Sequence, residues 1–264
     1  MKPQIISIIG GRGKMGSLFA EAFHGEGYTV LVSNEDNTDN TALAQMGDVV
    51  IVSVPIDKTE EVVREIGPYV KPESLLTDFT SVKTKPVAAM AQYSQAEIIG
   101  GHPLFGPNVN LQDQNMILCP ARGETYGLWY KNTLESLGLK VTLMTTEEHD
   151  KAMAAVQCLT HISNISFAYA LTKMKKNPTL EDLTTPLHTL NIYAVSRILS
   201  QDPSLYAGIQ TTNPFAKEAV QMYCDAVEEI SMLVREQKKG ELKELLNFLQ
   251  DQFRNYLVRK KDTE

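Results

Sequence analysis

No apolar run in this chain approaches the ~20 residues a helix needs to cross a bilayer. Cysteine is scarce too. Cys119, Cys158 and Cys224 are odd in number, far apart, and form neither a C-x-x-C pair nor a metal-ligand spacing. These shortages argue against a helical membrane protein, a disulfide framework and a cysteine metal site, so no membrane partner and no metal are expected. The three cysteines read as reduced packing residues of a cytoplasmic protein. Basic charge is also short: 25 Lys and Arg against 32 Asp and Glu leave a net charge of -7. A general nucleic-acid binder would show a basic surface, so no such partner is expected. The apolar part of MKPQIISIIGG is too short for a signal peptide, and no A-x-A site follows it. No internal repeat or low-complexity segment occurs. What is present is ordinary for a globular protein: 264 residues, 43% hydrophobic and 22% charged, enough for one large domain or two modest ones.

The first half alternates short β-rich runs with helical patterns. Strands are expected at 5–9, 29–33, 49–54, 75–78, 97–101, 116–119 and 140–144, and helices at 16–24, 59–66, 85–93 and 124–137. Several of the runs are continuously apolar, as parallel strands buried on both faces must be. The alternation predicts an α/β fold, a Rossmann-type doubly wound parallel sheet. After TTEEHD the strand signal stops and an all-helical domain is expected. Phe215, Ala219, Met222, Tyr223, Ala226, Ile230, Leu233 and Val234 form one apolar stripe at helical spacing, and Leu242, Leu245, Leu246, Leu249, Phe253, Tyr256 and Leu257 form a second. The expected division is 1–146 for a dinucleotide-binding domain and 147–264 for a helical domain that binds substrate and supplies a homodimer interface. Gly240 is expected to separate the last two helices.

The first strand runs into GGRGKMG. Gly11, Gly13 and Gly16 fit G-x-G-x-x-G, between an expected strand and an expected helix. The first glycine makes a tight turn, the second admits a pyrophosphate to the backbone, and the third lets helix and strand pack closely. The helix N-terminus then offers free N–H groups and partial positive charge to the phosphates. Arg12, Lys14 and Met15 share that turn. No G-K-[ST] ends the motif, which excludes a P-loop. The ribose should meet the end of the second strand, where the sequence reads VSNEDN. Asn34, Glu35 and Asp36 are its candidate partners. A carboxylate there accepts from a 2′-hydroxyl and repels a 2′-phosphate, which favours NAD over NADP. Asn34 can occupy the acidic position and Arg12 can lean towards a phosphate, so NADP stays open.

Ligands of such sheets sit beyond the carboxyl ends of the strands. VSVPIDKT follows the third strand, and Val54 and Pro55 take the chain out over the cofactor. DFTSVKT follows the fourth strand and GGHPLFGPN the fifth. These two strands are neighbours in the usual order, so Ser81 and His102 can face one pocket. Pro103 disfavours a helical conformation at His102, and Gly100 and Gly101 allow close approach of backbone or ligand. Taken singly, His102 is as consistent with a loop residue, Ser81 with a helix cap, and Lys83 with a surface lysine. On the helical side Gln157, His161 and Asn164 fall at i, i+4 and i+7, on one face of an otherwise apolar helix. They read as a pocket wall or as satisfied core groups. Arg197, beside Tyr193 and Ala194, needs an anionic partner, either a substrate or a structural acid. His149 of EEHD reads as part of a helix-start cap, and His24 and His188 as surface or packing residues.

GGRGKMG, VIVSVPI, DFTSVK, HPLFGP and QCLTHISNISFAYAL, in that order and spacing, resemble the prephenate/arogenate dehydrogenase family of tyrosine biosynthesis. The likeness is strongest to the dehydrogenase part of the enterobacterial bifunctional enzyme, and QDPSLYAGI shares it. Without a chorismate mutase segment before the nucleotide domain, the chain resembles a stand-alone form. The resemblance implies NAD-dependent oxidative decarboxylation of prephenate to 4-hydroxyphenylpyruvate, or of arogenate directly to tyrosine. It implies His102 as the catalytic histidine, Ser81 near the reacting hydroxyl, Arg197 as a ligand of a substrate carboxylate, and His161, with Gln157 on the same face, as substrate contacts. Where the enterobacterial enzyme has a second arginine, this chain has Thr189.

The chemistry asks for these residue types independently. Oxidising a ring carbinol needs a hydride acceptor and a base for the hydroxyl proton, and histidine has the unperturbed pKa nearest neutrality. A small dicarboxylate suits the bidentate fork of arginine. Rival expectations are a hydroxyacid or imine-reductase type of dehydrogenase and a non-catalytic module that senses NAD. Lys151, Lys173 and Lys175 carry no motif for the first, and the pairing of His102 with Arg197 argues against the second.

Overall fold

The computed structural model describes residues 3–33, 39–174 and 183–261, with side chains described as far as residue 254. Seven strands form one sheet in the order β2-β1-β3-β4-β5-β6-β7. They are β1 (Ile5–Ile9), β2 (Thr29–Val32), β3 (Val49–Val52), β4 (Leu75–Asp78), β5 (Glu97–Pro103), β6 (Asn115–Arg122) and β7 (Lys140–Leu143). Helices α1 (Lys14–Gly25), α2 (Asn40–Met46), α3 (Ile56–Ile66), α4 (Thr84–Tyr93) and α5 (Gly127–Ser136) connect most of them. Strand β3 shows why the runs are apolar throughout. Val49 and Ile51 join Phe19, Phe23, Tyr130 and Leu134 on one side of the sheet. Val50 and Val52 join Val63, Ile66, Val87 and Met90 on the other. A strand covered on both faces has no polar alternation to show.

Two features depart from the expected sheet. β6 runs antiparallel to β5, while every other pairing is parallel. Residues 104–114 joining β5 to β6 contain no helix, and antiparallel neighbours need no crossover. The short helix α2 was not expected. Asp39 caps it by accepting from the amides of Thr41 and Ala42.

By packing, the chain forms two compact units, Met1–Ala216 and Lys217–Glu264. Helices α6 (Thr146–Met153), α7 (Thr160–Lys173), α8 (Pro186–Leu199) and α9 (Pro203–Thr212) therefore belong with the sheet. Ile56 of α3 packs with Cys158, Ile209 and Ala216, and Asn213 Nδ2 donates to the Asp150 carbonyl at 2.8 Å. The second unit holds most of α10 (Ala216–Arg235) and all of α11 (Lys239–Lys261), so the segment around Gly240 lies inside the start of α11.

The glycine turn is built one residue earlier than the motif suggests. Gly10, not Gly11, has the left-handed backbone, at φ +77°. A β-carbon on Gly10 would lie 2.4 Å from the Ser53 carbonyl oxygen. Gly11 abuts Val32, and Gly16 abuts the Gly10 carbonyl, so both serve close packing of turn, strand and helix. Gly10→Ala is expected to lower stability by about 1–3 kcal/mol, the cost of holding a non-glycine residue in that region. The same substitution should weaken NAD binding. An unchanged melting temperature and NAD affinity would show that the turn tolerates a side chain.

Candidate active site

The turn after β1 is a phosphate cradle by geometry. Gly13 caps α1 with no side-chain acceptor. The amides of Lys14, Met15 and Gly16 have no acceptor among the described residues, while Gly13 N–H bonds the Gly10 carbonyl at 2.9 Å. A β-carbon on Gly13 would stand 3.1 Å from that carbonyl, crowding a cradle that glycine keeps open. The Ser33 hydroxyl accepts from Gly10 N–H at 3.3 Å and donates to Asn40 at 2.7 Å, tying the turn to the end of β2. Bare helix amides beside an open backbone suit a pyrophosphate. Arg12 and Lys14 are exposed, and Val54, half-buried, packs beside Gly10. Pro55 caps α3. Asn34, Glu35 and Asp36 lie outside the described residues.

At the far end of β5, His102 is 2% exposed. Its Nδ1 sits 2.8 Å from His149 Nε2, and His149 Nδ1 sits 2.8 Å from Asp150 Oδ1. Asp150 also accepts from the backbone N–H groups of Lys83 at 2.8 Å and Thr84 at 2.9 Å, capping α4 from another helix. Ser81 is therefore not the cap. It lies half-buried in the loop between β4 and α4, and its hydroxyl has no partner among the described residues.

Lys83 is not a surface lysine. It is fully buried, and its Nζ bonds Asp78 Oδ2 at 2.5 Å and the Gly101 carbonyl at 2.6 Å. Asp78 Oδ1 in turn accepts from Gly101 N–H at 3.1 Å. This clamp joins the ends of β4 and β5 one residue before His102. It also explains the paired glycines. A β-carbon on Gly100 would meet Val87 at 2.5 Å and the Lys83 stem at 3.1 Å, and one on Gly101 would meet the Asp78 carbonyl at 2.6 Å. The glycines admit the clamp rather than a ligand.

Burial, then the nearby cationic forms of His149 and Lys83, hold the His102 pKa well below 6.5. Burial also lowers His149, against the pull of Asp150. For Asp150 burial acts upwards, but the bonds from His149, Thr84 and Lys83 outweigh it and the carboxyl stays below its usual range. The ring of His102 is thus neutral at neutral pH.

Beyond His102 lie polar groups of the helices that follow the sheet. Between α6 and α7 the chain widens into a π-helical segment, Ala154–Leu159. Such segments occur mostly as single turns, often at functional sites. Gln157 in it brings its Nε2 to 3.5 Å from His102 Nε2. His161 follows one turn later and meets the Tyr206 ring edge-on at a centroid distance of 4.7 Å. Gln201 Nε2 donates to the Tyr206 hydroxyl at 2.9 Å and to the Arg197 carbonyl at 3.3 Å, and burial raises the Tyr206 hydroxyl pKa. Gln157 Oε1 and His161 Nδ1 are buried without a partner among the described residues. Arg197 is exposed and forms no ion pair among the described residues. Buried polar atoms are nearly always paired, so the open atoms of Gln157 and His161 are free to bond a polar ligand. Asn164 instead turns its amide to the Thr160 carbonyl.

Sequence reasoning had placed His102, Ser81, Gln157, His161 and Arg197 here. It missed Asp78, Lys83, His149, Asp150 and Tyr206. The available signal was the DFTSVK motif itself, with an acid and a lysine flanking the buried end of a strand.

Residues 25–143 match the family model described as prephenate dehydrogenase, nucleotide-binding domain, and residues 145–248 match prephenate dehydrogenase, dimerization domain. The chain belongs to the prephenate/arogenate dehydrogenase family. A probable arogenate/prephenate dehydrogenase of Methanocaldococcus jannaschii is 34% identical over 252 residues, covering 87% of this chain and 56% of that protein. The T-protein of Enterobacter agglomerans is 34% identical over 209 residues, covering 77% of this chain and 55% of its own length. The chain thus spans about half the length of these relatives. The fold is shared with the crystal structure of prephenate dehydrogenase from Aquifex aeolicus in complex with hydroxyphenyl propionate and NAD+. The TM-score is 0.79 at 19% identity, over 100% of this chain and 99% of that one. Synechocystis arogenate dehydrogenase gives a TM-score of 0.75 at 21% identity, over 96% and 100% of the two chains. The first family match begins after the glycine turn, so the cradle rests on its own geometry.

Proposed function

We propose that this chain catalyses the NAD-dependent oxidative decarboxylation of prephenate to 4-hydroxyphenylpyruvate, with His102 as the base. The observation that carries the reading is a buried imidazole at the carboxyl end of β5, with Gln157 at 3.5 Å from its Nε2, while His161 meets Tyr206 and Gln201 ties Tyr206 to Arg197. When bound, an oxidised nicotinamide supplies the acceptor for the carbinol hydride. The amides of Lys14, Met15 and Gly16 would hold its pyrophosphate. Val54 and Pro55 would flank it, and Glu35 and Asn34 would meet the ribose and favour NAD over NADP.

His102 Nε2 takes the hydroxyl proton, and the O–H pair becomes the new carbonyl bond as the hydride leaves carbon. The ring then loses carbon dioxide. The pair from that C–C bond enters the ring, and the carbonyl becomes a phenolate oxygen, which takes back the proton held on His102 to give the phenol of the aromatic product. Ser81, with its unpartnered hydroxyl, would steady the substrate oxygen. Arg197 would bind one carboxylate, and His161 and Gln157 would satisfy their open atoms on the rest of the dicarboxylate.

Arogenate, which differs only in an amino group on the side chain, is the second reading, since relatives of both names share sequence and fold. NADH absorbance after adding each substrate to the NAD-loaded chain decides between them. A folded, NAD-binding chain silent with both would be a sensing module. Arg197→Gln is expected to cost about 1.5–3 kcal/mol of substrate binding, the worth of a bond to a charged group, and to appear as a raised KM. An unchanged KM would give Arg197 a structural role.

The helical residues 147–264 would bind substrate and form a homodimer, and residues 1–146 would bind the cofactor. Exposed apolar side chains on α8, among them Leu187, Leu190 and Tyr193, fit such an interface, as do Met222 and Ile230 on α10. A cytoplasmic location accords with the reduced cysteines, which are free in the structure, and no described helix is long and apolar enough to cross a membrane.

A further inference from the structure

We infer that Asp150 and His149 form a positioning pair that keeps the proton of His102 on Nδ1 and so leaves Nε2 open to accept. The inference deepens the proposed reaction and rests on His102 being its base.

The argument follows the donors inward from the carboxylate. Asp150, held ionised by backbone amides, can only accept. At 2.8 Å from it, His149 Nδ1 must therefore carry a hydrogen. Neutral His149 then has only a lone pair on Nε2. That lone pair, 2.8 Å from His102 Nδ1, can only accept, so His102 Nδ1 must donate. A neutral His102 that donates from Nδ1 has its lone pair on Nε2, the atom facing Gln157. Each step fixes one tautomer by the bond the other nitrogen makes.

No other titratable group competes for the ring among the described residues. Lys83 and Asp78 are engaged with each other and with the Gly101 backbone. Cys119, opposite Gly100 on β6, has its thiol pKa pushed up to about 12, chiefly by burial, and stays a thiol near neutral pH. The same carboxylate holds the first turn of α4, so the orientation of His102 and the placement of the Ser81 loop share one anchor. When His102 takes the substrate proton, its Nδ1–H remains bonded to His149, with Asp150 behind it. The imidazolium is thus met by an oriented acceptor without any rearrangement of the pair.

The proton position is read directly by long-range ¹H–¹⁵N NMR on the full chain with ¹⁵N-labelled histidine, the His102 signals being those lost in His102→Asn. An Nδ1–H tautomer at His102 is expected, although free imidazole side chains in water favour Nε2–H. His149→Leu should move His102 towards Nε2–H and lower kcat by about 10²-fold or more, the lower end of what a positioned base contributes, at unchanged KM. His149→Gln, which keeps an acceptor near the Nε2 position, should recover part of that kcat. An Nε2–H tautomer in the wild-type chain overturns the inference, and so does a His149→Leu chain with wild-type kcat and tautomer. If that variant does not fold, the wild-type spectrum still decides. A wild-type chain that turns over neither substrate refutes the proposed reaction instead, and leaves the tautomer to be judged by its spectrum.

Discussion

Replacing His102 by asparagine should leave NAD affinity unchanged and lower kcat by about 10²–10⁴-fold, the range a positioned general base supplies. Asparagine can still donate to His149 but has no basic nitrogen to take the hydroxyl proton. The cofactor cradle, in the turn between β1 and α1, is untouched. In the wild-type chain burial, then His149 and Lys83, hold the His102 pKa well below 6.5. The base must be neutral to act, so activity is present above that lowered pKa and is lost as pH falls through it. kcat/KM should therefore stay level on passing down through pH 6.5 and fall only below it. Equal turnover in His102→Asn, or an acid limb centred above 6.5, would remove His102 from the mechanism.

The second large effect is on stability. Lys83→Met leaves Asp78 as an unpaired charge in a fully buried position and should cost about 3–5 kcal/mol of unfolding free energy, read by urea denaturation. The lysine also ties β4 to β5 through the Gly101 carbonyl, so the residue before His102 loses a support. Combining Lys83→Met with Asp78→Asn should return much of the loss, because no ion is then left unpaired. A single variant with the wild-type urea midpoint would show that the pair contributes nothing net. The two experiments separate chemistry from scaffold: the first variant should be inactive and stable, the second unstable first and inactive only as a consequence.

The strands were legible because strands buried on both faces are apolar at every position, and Val49–Val52 is such a run. The cradle was legible because its glycine spacing is dictated by contact distances within a few residues. Even so, the left-handed turn fell on Gly10, a residue the motif does not count. Lys83 read as a surface residue since a lysine's burial depends on whether an acid five residues earlier ends up facing it. His149 read as part of a cap because its real partner, His102, lies 47 residues away. The widened turn that carries Gln157 left no pattern to see, for a π-helical segment shares the composition of the α-helix around it.

The amino-acid sequence alone determined the doubly wound class, the glycine cradle, and a histidine and an arginine as the groups to watch. All of these follow from local spacing and from what each side chain can do. Only the tertiary structure decided that His102 answers to His149 and Asp150, that Lys83 is buried, and that α6 to α9 pack with the sheet. The reason is range. Periodicity and turn chemistry act over a few residues, whereas the bond from Lys83 N–H to Asp150 spans 67, and whether two such groups meet is settled when the layers close.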